Sequence, residues 1–370
     1  AAAGSKMVNV TEDVFANGAV NPFTKSKDTI KRFTLTNGAG MSVQLITRGA
    51  TITSIKTPDA SGQIDDVTLG FDDLAGYQSE RNPYFGATIG RVCNRIANGS
   101  FYLDGKLVQV SKNRDNKFQL HGGFVGFDKA HWEVVEVRVD GVTLSHTNPD
   151  GHEGYPGKVT ATASFTLSED NCLHVQMSAL ADKTTPVNLT NHSYFNLAGH
   201  KSGANGLYEH TIEINAYGIT ETDQSSIPTG RITPVEGTGF DLRVSSNLGE
   251  RLKALQPARG YDDNFCVTFS PPQPLAKVAR ATHPPSGRWL EVVSNQPGVQ
   301  FYTSNFMPDV ERGESPIPGK DGAAYAKHCA FCLETQKFPD SVNHSNFPST
   351  ILRPGESYQH EVIYKFGVSH

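Results

Sequence analysis

Three stretches of this sequence place polar side chains where a strand pattern calls for apolar ones. In Val187-Asn188-Leu189-Thr190-Asn191-His192, an extended backbone points Val187 and Leu189 one way and Asn188, Thr190 and His192 the other. In Val299 to Ser304, Gln300, Tyr302 and Ser304 share the face opposite Val299, Phe301 and Thr303. In Cys329 to Glu334, Glu334 shares a face with Ala330 and Cys332 and ends an apolar run. A carboxylate in that setting must be paired, hydrogen-bonded or solvated. Imidazole and carboxylate are also the side chains suited to moving protons near neutral pH. Each position fits a plainer role as well: Glu334 an ion-pair partner, His192 a satisfied core histidine, Gln300 a solvated strand residue.

Other groupings are weaker. Leu120-His121-Gly122-Gly123 sets two glycines after a histidine, which allows a plain turn or a close backbone approach. Tyr261-Asp262-Asp263-Asn264 puts two carboxylates side by side. On a strand they face opposite sides and form no acid/base pair; a solvated loop or Asx-turn is the alternative. Cys329 and Cys332, preceded by His328, have the spacing of half a zinc site. A zinc site needs four ligands and there is no second cysteine pair, so buried structural thiols are expected and no metal. No phosphate loop, dinucleotide fingerprint, His-Glu-x-x-His or Gly-x-Ser-x-Gly motif occurs, so no nucleotide cofactor is expected.

The elements that must position these residues are strands. Lys158 to Leu167 alternates strictly, and after Ser168-Glu169-Asp170-Asn171 the alternation resumes through Ala179, which predicts a hairpin. Further strands are predicted around Ile212 to Ala216, from Tyr358 to Phe366, and on both sides of Asn37-Gly38. Helical spacing is confined to short pieces such as Leu248 to Leu255. With 35 Gly and 21 Pro spread along 370 residues, the pattern predicts an all-β sandwich or barrel. We read residues 1–6 as a remnant foreign to the native chain, residues 7–28 as an irregular lead, and residues 29–370 as one catalytic domain. The Gly- and Pro-rich stretch from Phe306 to Lys327 is a long loop of the kind that often carries function.

A net charge of -5 without a basic block argues against nucleic acid or an anionic membrane as partner. Five irregularly spaced cysteines imply no disulfide framework, and no apolar run reaches membrane-spanning length. A cytosolic monomer is the expectation.

Several motifs, in order along nearly the whole chain, resemble the aldose 1-epimerase family. They are Gly90-Arg91-Val92-Cys93-Asn94-Arg95-Ile96-Ala97-Asn98-Gly99, Leu120 to Gly123, Asn188 to Leu197, Gly260-Tyr261-Asp262-Asp263-Asn264-Phe265, Gln296 to Thr303, Leu333-Glu334-Thr335-Gln336 with Pro339-Asp340, and Arg353-Pro354-Gly355-Glu356. The resemblance implies a large antiparallel β-sandwich of the galactose mutarotase-like type with few short helices, and a free monosaccharide such as galactose or glucose as substrate. It implies His192 as general acid and Glu334 as general base. It implies Asn94, Arg95, His121, Asp262 and Gln300 as sugar-hydroxyl ligands or, for His121, a second group near the ring oxygen. One departure is Asp263, where the family often has His; no role is carried over to it. Anomer exchange needs a base at the C1 hydroxyl and an acid at the ring oxygen, with roles reversed on closure. A glycosidase using Glu334 and Asp262, a sugar-binding module without turnover, and an epimerase for a phosphorylated hexose are the competing readings.

Overall fold

The computed structural model describes residues 7–255, 259–267 and 274–370; residues 1–6, read above as a foreign remnant, lie outside these. Nine strands form the largest sheet, in the spatial order Glu133–Val137, Gly141–Asn148, Val159–Leu167, Cys172–Ala181, Tyr358–Val368, Arg288–Ser294, Ala276–Thr282, Thr211–Ile214 and Ser246–Asn247. All its pairings are antiparallel. The hairpin at 168–171 forms as expected: Val159–Leu167 alternates strictly between buried and half-buried and pairs in register with the next strand. Its buried face, with Phe165 and Met177, joins one continuous core with Phe33 and Leu45 of an N-terminal sheet and Phe265, Phe301 and Leu333 of another. Apolar side chains from facing sheets interdigitate, which is what makes the architecture a sandwich.

The strands flanking Asn37-Gly38 form in the N-terminal sheet as Lys27–Thr36 and Ser42–Ile46. The irregular lead is corrected by the structure. Asn9–Val20 is a strand that pairs antiparallel with Lys27–Thr36, interrupted by two register shifts. It is an edge strand exposed along most of its length, so its sequence carries no buried/exposed alternation to betray it. The helical segment expected at Leu248 to Leu255 forms as Leu248–Ala254, capped by the Asn247 side chain on Glu250 N–H. The Phe306–Lys327 stretch holds only single-turn 3-10 helices and a two-residue strand pair, Ile317–Pro318 with Ala324–Tyr325.

The sheet that matters most for chemistry has five strands, in the order Pro228–Pro234, Gly218–Thr222, Asp262–Cys266, Gly298–Tyr302 and Cys332–Gln336. The Tyr261–Asn264 stretch is thus largely strand rather than a solvated loop. All five cysteines are buried free thiols; Cys329 lies outside the strand that begins at Cys332, so the two do not share one strand.

Several histidines are sealed in the interior as neutral rings. His210 accepts from Leu197 N–H at Nε2 and donates from Nδ1 to Gly206 O, and burial pushes its pKa down to about 3. His360 sits between Thr335 and Tyr358 hydroxyls, and burial holds its pKa well below the usual range. Unfolding frees both rings to titrate near 6.5. Below that pH the unfolded chain binds protons that the folded one refuses, so stability falls as pH drops. Each ring contributes a loss of about 1.4 kcal/mol per pH unit until its folded value is reached. Urea midpoints measured at about pH 7 and about pH 5 should therefore be lower at the acid value; an equal or higher acid midpoint contradicts the sealed, neutral state of these rings.

Candidate active site

His192 follows the two-residue strand Thr190–Asn191, and the alternation seen in the sequence has a concrete purpose there. Asn188 exchanges two hydrogen bonds with the main chain of Lys337, and Thr190 Oγ1 donates to Thr335 O. The polar face of this segment is thereby tied to the strand Cys332–Gln336, and His192, next on that face, is delivered to Glu334. His192 Nε2 and Glu334 Oε1 lie 3.4 Å apart, both side chains almost fully buried.

The strand register supplies the carboxamides. Gln300 is the cross-strand neighbour of Glu334 on one side and of Asn264 on the other. Gln336 Nε2 lies within bonding distance of both Gln300 Oε1 and Asn264 Oδ1, and Gln300 Nε2 donates to Asp262 Oδ1 at 3.0 Å. Asp262 therefore faces Gln300 and the cleft. Asp263, by alternation, faces away and pairs with Arg259 at 3.1 Å. The substitution for the family's usual His thus falls outside the cleft lining.

The opposite wall is a loop held in left-handed backbone. Asn94 has φ +63° and His121 φ +51°. Asn94 N–H donates to His121 Nδ1, and His121 N–H donates back to Asn94 O, each at 3.0 Å. Gly122 follows at φ +87°, where a Cβ would come within 2.1 Å of Gly90 O, so the glycine is required by close approach as well as by backbone angle. Arg91, fully buried, anchors this loop through Asn148, Thr185 and Pro156 O. Because His121 Nδ1 is an acceptor, its neutral ring carries the proton on Nε2, and that N–H is a donor. Burial keeps the ring in this neutral form.

All seven side chains named from the motifs — Asn94, Arg95, His121, His192, Asp262, Gln300 and Glu334 — line one cleft of about 150 Å³. That is below the ~300–1,000 Å³ usual for drug-sized ligands and is on the scale of a single sugar ring. Pro83, Tyr84, Arg114, Leu120, Tyr194, Tyr302 and Phe306 complete the lining. Of these, Leu120, Tyr194 and Tyr302 lie inside the motifs, and Tyr302 shares the strand face of Gln300, which could have flagged it. Tyr84 and Arg114 come from loops with no pattern to mark them, and Phe306 opens the long Phe306–Lys327 loop that its length and composition mark. Ser304, expected on the Gln300 face, lies beyond the strand at φ +59° and bonds Ala330 O instead.

The electrostatics follow from burial. Enclosure pushes the Glu334 carboxyl well above its usual range, helped by the neighbouring Asp262 charge and opposed by Arg95. The same enclosure pushes His192 down to about 4. Its Nδ1 has only the Cys332 thiol beside it at 3.7 Å, so no second carboxylate supports an imidazolium from behind. Two rings do flank it. Tyr84 and Tyr194 stack on the His192 ring at centroid distances of 5.7 and 5.1 Å and interplanar angles of 20° and 14°. Glu334 Oε1 and Arg95 Nε are buried without a hydrogen-bond partner. Buried polar atoms are normally satisfied, so two such orphans in one cleft mark where ligand hydroxyls belong.

His121, His192 and Glu334 bring one potential ligand atom each to within 4.8 Å of one another, the only such group among the described residues. The Nε2–H tautomer of His121 leaves no lone pair there for a metal, so the trio is arranged for hydrogen bonds and proton transfer.

Comparison with known proteins shows the family. The aldose 1-epimerase family model matches residues 31–365. Galactose mutarotase of Rattus norvegicus is 45% identical over 368 residues, covering 98% of this chain and 100% of its own. The aldose 1-epimerase of Escherichia coli (strain K12) is 35% identical over 339 residues, with 90% and 94% covered. Among solved structures, the GalM/aldose epimerase homologue from C. elegans superposes with a TM-score of 0.80 at 29% identity, over 90% of this chain and 98% of that one. Galactose 1-epimerase from Lactobacillus acidophilus shares the fold, with a TM-score of 0.78 at 24% identity, over 98% of this chain and 100% of its own. The described residues contain no helix long and apolar enough to cross a membrane. The chain belongs to the aldose 1-epimerase family.

Proposed function

We propose that this cleft interconverts the α and β anomers of free aldohexoses such as galactose and glucose, with Glu334 as base, His192 as acid, and Asn94, Arg95, His121, Asp262 and Gln300 as hydroxyl ligands. The observation that carries this reading is the His192–Glu334 pair, 3.4 Å apart and buried, with an unsatisfied Glu334 oxygen. Glu334 takes the proton of the C1 hydroxyl while His192 gives one to the ring oxygen. The C1–O5 bond breaks, an aldehyde forms at C1, and rotation about C1–C2 presents its other face. On closure His192 takes back the O5 proton and Glu334 returns its own to O1. The enzyme ends as it began, and each transfer contributes ~10²–10⁴-fold.

The pair holds one proton throughout. With a ring bound it is Glu334 carboxylate and His192 imidazolium; with the open chain it is carboxylic acid and imidazole. The second state bears no charge, and burial favours it. The enclosure that depresses His192 and raises Glu334 therefore stabilises the open-chain stage relative to the ring-bound one. The flanking Tyr84 and Tyr194 faces favour the imidazolium and keep the first state within reach. Arg95, whose charge favours the Glu334 carboxylate, acts in the same direction.

Optical rotation of fresh α-D-galactose and α-D-glucose should equilibrate faster with the protein present. Glu334→Gln and His192→Asn should each lose ~10²–10⁴-fold in kcat while still binding sugar. A wild-type rate equal to the uncatalysed one across free aldoses would sink the reading. Acid inactivation should come when the pair takes a second proton on His192. Activity should then hold through neutral pH and fail only toward about pH 4; failure near the ordinary imidazole value would show that His192 is not held down by burial. Tyr194→Leu should cost roughly 3–30-fold in kcat and move that acid limb to still lower pH, because the imidazolium loses a stacked face. Tyr194→Phe, which keeps the ring, should retain both; equal effects from the two variants would refute the stacking role.

A further inference from the structure

At Lys337, just past the Cys332–Gln336 strand, lies another cavity, of about 490 Å³, that shares no residue with the catalytic cleft. Its walls come from Asn295–Pro297, Lys337, and segments between Ser349 and Gln359. Its one cationic lining residue is Lys337, and the surroundings of that side chain are unusual. The Lys337 backbone is clamped by the two Asn188 hydrogen bonds, so the side chain has a fixed root. Its Nζ lies over the Tyr358 ring at 4.5 Å and donates to Gln296 Oε1 at 3.3 Å. No carboxylate of a described residue forms an ion pair with it. Glu356 lines the same cavity, but its Oε2 accepts from Arg353 N–H.

Lys337 is half-buried, and an ammonium drawn partly out of water normally has a counter-charge, since that transfer costs more than neutral hydrogen bonds return. Here an amide oxygen and a ring face stand in for one. The lack is visible in the amine itself, whose pKa burial pushes down to about 8. The remaining wall is that of a polar small-molecule site: Asn295, Ser349, Ser357 and Gln359 around the apolar Ile351 and Leu352. The Thr350 hydroxyl is buried in the same wall without a partner.

We propose that this cavity binds a small oxyanion, a phosphate or carboxylate group, with Lys337 as its counter-charge. The site is separate from sugar turnover. It nevertheless sits against the main chain that holds both catalytic residues, because Tyr358 Oη accepts from Leu189 N–H and Asn188 bonds Lys337 itself.

The test uses the intact protein and reads mass rather than turnover, so it stands or falls independently of the mutarotase reading. Trace acetylation with a neutral N-hydroxysuccinimide ester, mapped by peptide mass spectrometry, reports each lysine's reactivity. It is run in chloride, in inorganic phosphate and in acetate at matched ionic strength. Lys337 should lose about tenfold in labelling rate with half-protection in roughly the millimolar range, the affinity of a few contacts to one charge. Exposed Lys56 and Lys158 should not change. Protection by phosphate, by acetate or by both supports the site and tells which oxyanion it takes. No saturable protection by either overturns it, as does protection that disappears when excess galactose fills the catalytic cleft. Calorimetric titration of phosphate or acetate, whichever protects, into Lys337→Met should show binding lost, and into Lys337→Arg should show it retained. Equal binding by Lys337→Met overturns the proposal even if the labelling behaves as expected.

Discussion

Everything in the cleft depends on one seam, the hydrogen bonds that tie Asn188 and Thr190 to the main chain of Thr335 and Lys337. The seam joins two segments nearly 150 residues apart in the chain and leaves His192 and Glu334 facing each other at 3.4 Å. It uses main-chain groups on one side, so it fixes position without drawing on the side chains that do the chemistry. A network through the catalytic side chains themselves would have satisfied Glu334 Oε1 and left nothing for the substrate to complete.

Dryness is the second organising feature. Each ionisable member of the pair is destabilised in its charged form by the same enclosure, and the two penalties point toward a shared neutral state. That is a suitable ground for a reaction that moves protons between two groups and a sugar and returns them. Aromatic faces on either side of the imidazole and a guanidinium near the carboxylate set how far the balance tips. Gln336, whose Nε2 is shared between Gln300 Oε1 and Asn264 Oδ1 and which does not line the cleft, holds the carboxamide whose amide reaches Asp262.

The loop wall shows how backbone strain is placed. Left-handed residues at Asn94, His121 and Gly122 cluster where the chain must approach Gly90 closely and turn an imidazole N–H inward. The reciprocal Asn94–His121 hydrogen bonds and the buried Arg91 anchor over-determine that conformation, as strained positions require. The result is a histidine whose tautomer is set by a main-chain donor rather than by pH.

The sequence by itself determined the strands, because period-2 burial is a local property that Val159–Leu167 or Tyr358–Val368 displays without reference to any partner. It also determined the odd polar faces of 187–192 and 299–302, and ordered motifs pointed to the residues that line the cleft. It missed the edge strand Asn9–Val20, where exposure on both faces erases the alternation, and left Tyr261–Asn264 open between loop and strand. Only the tertiary structure decided that Asp262 faces the cleft and Asp263 does not, that Tyr84, Arg114 and Phe306 line it, and that His192 meets Glu334 without a carboxylate behind it. Those facts depend on which segments become neighbours and on how much water is left between them, and neither is written in the spacing of residues along a single strand.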